Sequence, residues 1–129
     1  MTDFQHMIQL AVAHLPNAYA PYSKFHVSCC IQGSNKQYYV GVNVENVAYP
    51  LGSCAEASAI SQMVTDGCKQ IENVVIISSN NTICSPCGGC RQRLQEFATD
   101  DCQIYLCDQK QLLKQFTINE LLPNAFQSF

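Results

Sequence analysis

The sequence predicts an α/β protein with three layers: one sheet and helices on both of its faces. Three observations point there. Apolar residues recur at helical spacing over residues 3–15, and residues 25–32 and 37–44 then read as two strands. The unbroken run Val74-Val75-Ile76-Ile77 is long enough for a buried strand. Helical segments at 54–65 and 87–98 bracket that run, so helices alternate with strands along the chain.

Each element has a local reason. Phe4, Met7, Ile8, Ala11, Val12 and Leu15 line one face of the first helix, with Thr2 or Asp3 as cap and Pro16-Asn17 as stop. A loop over 18–24 leads to the strand at 25–32. Gly33-Ser34-Asn35-Lys36 supplies a hairpin turn to the strand at 37–44, rich in Tyr and Val. Pro50 and Gly52 break the next loop. The helix at 54–65 ends at Asp66-Gly67, and residues 73–79 form the buried strand. Ser85 and Pro86 have the character of an N-cap and first helical residue for 87–98. A short strand at 103–107, a weaker one at 114–117 and a short helix at 118–122 complete the chain.

With 129 residues the chain is expected to be one domain, 1–129, able to bury its own core. Charged residues are only 13%, about half the usual share. So few charges suit a chain partly buried in an oligomer. A net charge of −3 with only seven Lys and Arg argues against nucleic acid or a basic membrane patch as partner. Met1-Thr2-Asp3-Phe4-Gln5-His6 carries neither a basic region nor an apolar run, and no stretch approaches the ~20 apolar residues of a spanning helix. The expected location is the cytoplasm.

Nine cysteines, an odd number without a leader, do not suit a disulfide scaffold. Cys29 and Cys30 are adjacent on a strand, so they face opposite sides and read as small apolar residues, as do Cys68, Cys102 and Cys107. His6, His14 and His26 read as rim or structural residues.

The chemistry-bearing cysteines cluster. Cys84-Ser85-Pro86-Cys87-Gly88-Gly89-Cys90 contains C-x-x-C twice. Cys87 and Cys90 are three apart at a helix start and share a face. Leu94 stands where an iron–sulfur run needs its fourth Cys. Upstream, Ser53-Cys54-Ala55-Glu56 opens another helix. Ser53 and Glu56 alone fit a capping box. Cys54 between them adds a thiol that the helix dipole acidifies into a metal ligand. Spacing alone leaves two zinc arrangements. Cys54, Cys87 and Cys90 with an open fourth position make a catalytic site, whereas Cys84 as fourth ligand makes a closed one serving assembly.

The pattern Cys54-Ala55-Glu56 followed by Pro86-Cys87-Gly88-Gly89-Cys90 matches the zinc deaminase signature in its three-cysteine form. Ala20-Pro21-Tyr22-Ser23-Lys24-Phe25, Gly41-Val42-Asn43-Val44-Glu45-Asn46 and Glu120-Leu121-Leu122-Pro123 extend the likeness over nearly the whole chain. The sequence resembles the small homotetrameric cytidine deaminases. The resemblance implies a five-stranded mixed sheet and active sites completed by neighbouring subunits. It implies one Zn²⁺ per chain on Cys54, Cys87 and Cys90, with Glu56 as proton shuttle in the hydrolysis of cytidine or 2′-deoxycytidine to the uridine product and ammonia, a step of pyrimidine salvage. An enzyme of the same fold acting on another aminopyrimidine nucleoside is the nearest alternative. Asn43 and Glu45 are implied to bind the sugar hydroxyls, Phe25 to pack on the pyrimidine, Ala55 to read the base edge through its main chain, and Phe126 to reach a neighbour's site.

One departure stands out. The family usually has Arg directly after the catalytic Glu, and this chain has Ala57. Zn²⁺ with three thiolates carries a formal charge of 2 − 3 = −1, which disfavours ionisation of bound water relative to a dication. Arg91, next to Cys90, is the residue expected to draw that charge away.

Overall fold

The structure is a computed structural model that describes residues 3–128. Of the two residues expected as cap of the first helix, Thr2 lies outside the described residues and Asp3 is already helical. Helix α1 covers Asp3–His14 and runs into a 3₁₀ turn, Leu15–Asn17, at the predicted stop. Strands β1 (Val27–Gly33) and β2 (Tyr38–Val42) form the hairpin. Helix α2 (Ala55–Thr65), strand β3 (Ile71–Ser78) and helix α3 (Gly88–Phe97) follow. Strands β4 (Ala98–Cys107) and β5 (Leu112–Thr117) precede the short helix α4 (Ile118–Leu121).

The strands make one five-stranded sheet in the order β2-β1-β3-β4-β5. Strand β1 is antiparallel to β2 and to β3, β3 is parallel to β4, and β5 is antiparallel to β4. The five-stranded mixed sheet is as expected. Period-two alternation sends side chains to two cores. Cys29, Ile31, Val74, Ile76, Ile104 and Leu106 face α2, α3 and α4. Cys30, Val75, Ile77 and Cys107 face Met7, Ile8, Ala11 and Leu15 of α1. Cys29 and Cys30 thus divide between the faces, and Cys68, Cys102 and Cys107 are buried, as the sequence indicates.

The other strand ends fall within two residues of the expected ones, and two boundaries have a physical reason to differ. Strand β4 starts at Ala98, directly after α3, although Asp100 and Asp101 give its first half no apolar signal; both are exposed. Helix α3 starts at Gly88 with Cys87 as N-cap, two residues later than Ser85-Pro86 implies. The cause is Arg91, which holds the Ser85 hydroxyl and the Pro86 carbonyl and keeps that segment outside the helix.

The topology positions the site. Because β1 lies between β2 and β3 and opposes both, those two strands point the same way. Their carboxyl ends therefore leave the sheet at one edge, where open α/β sheets bind ligands. The loop after β2 leads to the start of α2, and the loop after β3 leads to the start of α3. Both helix N-termini are brought to the same place.

Candidate metal centre and active site

Cys54 and Cys87 are the N-caps of α2 and α3. Neither helix has a side-chain cap. Ser53 makes no capping box: its hydroxyl meets the Cys54 carbonyl and Ser58. Glu56, on the first turn of α2, is freed for another role.

Sulfurs of Cys54 and Cys90 and a carboxylate oxygen of Glu56 all lie within 4.8 Å of one another. The two sulfurs touch, yet the Cys54 and Cys90 Cα atoms are 7.5 Å apart. Disulfides rarely span more than about 7 Å between Cα atoms. Such separation suits two thiolates converging on an ion. Cys87 is exposed and stands at the rim, outside that closest group. It borders the same cavity of about 300 Å³ as Cys54, Glu56 and Cys90. The donor set, soft sulfur with an open side toward a cavity, fits zinc in a catalytic arrangement.

Glu56 is only 4% exposed. Burial raises its pKa, opposed by its own backbone N–H and by the charge of Arg93. A carboxyl held so exchanges protons more readily near neutral pH, which suits a general acid–base group.

Cys84, the fourth sulfur of the closed arrangement, comes to the same cavity. It is half-buried and lines the cavity wall, and burial together with the Glu56 charge pushes its thiol up to about 11.

Asn43 and Glu45 also line the cavity. Each is tied to the loop before β1. Asn43 Oδ1 accepts from Val27 N at 2.9 Å, and its Nδ2 donates to the Phe25 carbonyl at 2.9 Å. Glu45 Oε1 accepts from the backbone N–H groups of Tyr22 and Ser23 at 3.0 and 3.1 Å, and Oε2 accepts from the Ser23 hydroxyl. The Ser23 hydroxyl bond, with the backbone bonds, holds the Glu45 carboxyl below the usual range. Ser23 is a positioning partner that sequence reasoning missed, although it lies inside a quoted motif.

Ala55 is buried on the cavity wall, and as first residue of α2 its N–H lacks an intrahelical acceptor. The wall beside β1 is formed by Val27, and Phe25 is half-buried against the core next to it. Phe126 lies elsewhere, 61% exposed, with its carbonyl accepting from Gln92.

Arg91 is a correction. Its guanidinium donates to the carbonyls of Pro86 and Leu121 and to the Ser85 hydroxyl, at 2.8–2.9 Å, and does not face the thiols. Arg93 does: its Nη1 stands 3.9 Å from Cys54 Sγ and 3.8 Å from Cys90 Sγ. A helix turns about 100° per residue, so the residue after Cys90 looks sideways, whereas the third one on returns to its face. That spacing was the signal available for Arg93.

The model for the cytidine and deoxycytidylate deaminase zinc-binding region matches residues 1–106. The chain belongs to the cytidine deaminase family. It is 44% identical over 126 residues to a cytidine deaminase of Mycoplasma pneumoniae, covering 96% of this chain and 92% of that protein. Identity to a cytidine deaminase of Sporosarcina psychrophila is 34%, covering 96% and 91% of the two chains. The crystal structure of the cytidine deaminase from Burkholderia pseudomallei superposes with a TM-score of 0.88 at 30% identity, over 98% of this chain and all of that one. Among the described residues no helix is long and apolar enough to cross a membrane.

Proposed function

We propose that this chain, acting as one domain, hydrolytically deaminates cytidine and 2′-deoxycytidine, releasing ammonia and the corresponding uridine nucleoside. The observation that carries the reading is the meeting of Cys54, Cys90 and buried Glu56 on one cavity in a member of this family. Cys54, Cys87 and Cys90 would hold one zinc ion per chain, which would supply activated water near neutral pH.

The chain's own residues do the rest. Glu56 takes the proton from the attacking water, delivers it to ring N3 and then helps protonate the departing amine. The Ala55 N–H is placed to orient the base. Asn43 and Glu45, which line the same cavity, supply polar groups for the sugar hydroxyls. Phe25 packs against the pyrimidine once substrate enters.

The same reading includes a homotetramer. Val47, Tyr49 and Leu51, on the loop beside the cavity, are between 72 and 76% exposed, an arrangement that a neighbouring copy would cover. Phe126 is exposed to reach such a neighbour. The cytoplasm, where nucleosides are recycled, is the proposed location.

The experiment is direct. Zinc-loaded protein incubated with cytidine should release ammonia in step with the loss of cytidine absorbance, and light scattering should give four times the chain mass. No ammonia from a zinc-loaded, folded protein would refute the activity.

A further inference from the structure

We propose that Arg93 is the positioning residue that balances the thiolate charge, and that Ala57 is small because the Arg93 guanidinium occupies the space beside it. This inference rests on the three-thiolate reading above and extends it. The donor that the family places on α2 would here be supplied by α3.

Three observations carry it. Arg93 Nη1 lies almost equally far from the sulfurs of Cys54 and Cys90, 3.9 and 3.8 Å, so one nitrogen serves both. A Cβ added at Gly89 would meet Arg93 Nη1 at 3.4 Å and Cys87 Sγ at 4.0 Å, so the third thiol and the guanidinium neighbour the same glycine. Finally, Ala57 and Arg93 line one surface cleft, together with Ile60 and Gln92. Position 57 and position 93 therefore compete for a single place beside the thiols. Two guanidinium groups there would repel each other and crowd. One is enough, since groups that hydrogen-bond to metal ligands commonly tune affinity 10- to 100-fold.

Arg93 is exposed and on a helix surface, so its replacement should leave the fold intact. The test uses the full chain as wild type, Arg93→Ala, Arg93→Lys, Ala57→Arg and the double variant Ala57→Arg with Arg93→Ala. Zinc retention is measured against a competing chelator, and circular dichroism checks the fold. Arg93→Ala should lose zinc at roughly 10- to 100-fold lower chelator concentration. The double variant should recover most of that loss, and Arg93→Lys part of it. Ala57→Arg alone should hold zinc no better than wild type, because the place is already filled.

Cobalt-substituted protein gives a readout that a structural role would not move. Losing a donor to sulfur raises the thiolate electrons in energy, so the sulfur-to-cobalt charge-transfer band of Arg93→Ala should shift to lower energy. The double variant should shift it back. An Arg93→Ala protein with wild-type zinc retention and an unshifted band would overturn the proposal, as would a folded double variant no better than Arg93→Ala. Wild type that takes up no zinc at all would instead sink the three-thiolate site, and this proposal with it.

Discussion

Gly41 of β2 lies directly against the backbone of Ala59 in α2: an added Cβ would stand 2.3 Å from the Ala59 nitrogen and 2.5 Å from the Ala55 carbonyl oxygen. Both obstacles are main chain, so no side chain can rotate away. Only glycine lets the helix that carries Cys54, Ala55 and Glu56 approach the sheet this closely. Gly41→Ala should therefore push α2 outward and cost about 3 kcal/mol or more, the upper end for overpacking. Urea unfolding of the purified variant checks it. A midpoint equal to wild type would show that α2 has slack at its first turns.

Glu56 is only 4% exposed, and the desolvation of its carboxyl outweighs the nearby charge of Arg93. Burial disfavours its charged form and raises its pKa, which readies the group to carry a proton. Glu56→Gln keeps the size and removes the titration. Turnover should fall by about 10²–10⁴, the usual contribution of a positioned acid–base group. Zinc content should stay at the wild-type level. Turnover within a few-fold of wild type would leave Glu56 with no chemical role.

The proposed ligand set separates three cysteines from the fourth. Cys90 is buried beside Cys54, and Cys87 caps α3 at the rim of the same cavity. Cys84 shares the wall, but burial keeps its thiol protonated, up to about 11. Cys90→Ser and Cys87→Ser should each lower zinc content, whereas Cys84→Ser should not. Metal analysis after gel filtration reads this. Equal loss in Cys84→Ser and Cys90→Ser would mean a closed four-sulfur site.

The parts of this site legible in sequence were those fixed by short spacing. Cys54 and Glu56, or Cys87 and Cys90, are placed by one turn of helix, and the apolar run at 74–77 announces the strand beneath them. Arg91 was misread for a physical reason: adjacency in the chain is not adjacency in space, and on a helix the third residue is the closer neighbour. The start of α3 was misplaced because Ser85-Pro86 has the local chemistry of a helix start, while bonds from the Arg91 side chain, one turn into the helix, override it. Strand β4 begins in the polar residues Thr99, Asp100 and Asp101, beside a register shift against β3, which leaves no apolar alternation to see.

Ser23 and Glu45 make a prediction about pH. The Ser23 hydroxyl is the largest influence holding the Glu45 carboxyl below its ordinary range, ahead of the backbone N–H groups of Ser23 and Tyr22. A depressed pKa keeps the carboxylate charged as pH falls, and what it contributes is lost only once pH drops through that lowered value. Ser23→Ala should raise it, so protonation comes earlier on acidification. The acid limb of kcat/KM for cytidine should move to higher pH, with KM rising more than kcat falls. An unchanged acid limb would show that the backbone bonds alone set the charge on Glu45.

The cavity wall also decides which cytosine compounds can enter. Its described lining includes Glu45 and Glu56 but no Lys or Arg, and Asn43 belongs to it as well. A sugar offers hydroxyl groups that Asn43 and Glu45 can bind. Free cytosine lacks them and would forgo every hydrogen bond of that kind, a loss that costs a site reading hydroxyls far more than an equivalent loss of apolar contact. A 5′-phosphate brings two negative charges toward Glu45, which the Ser23 hydroxyl and backbone N–H groups hold ionised. No cation on that wall offsets the repulsion. Cytidine should therefore exceed both cytosine and cytidine monophosphate in kcat/KM by at least about 100-fold, the scale of a few lost polar contacts. Parallel assays of ammonia release at one pH and ionic strength compare the three. Similar values for cytidine and its monophosphate would place a cationic group from another subunit at the mouth of the cavity.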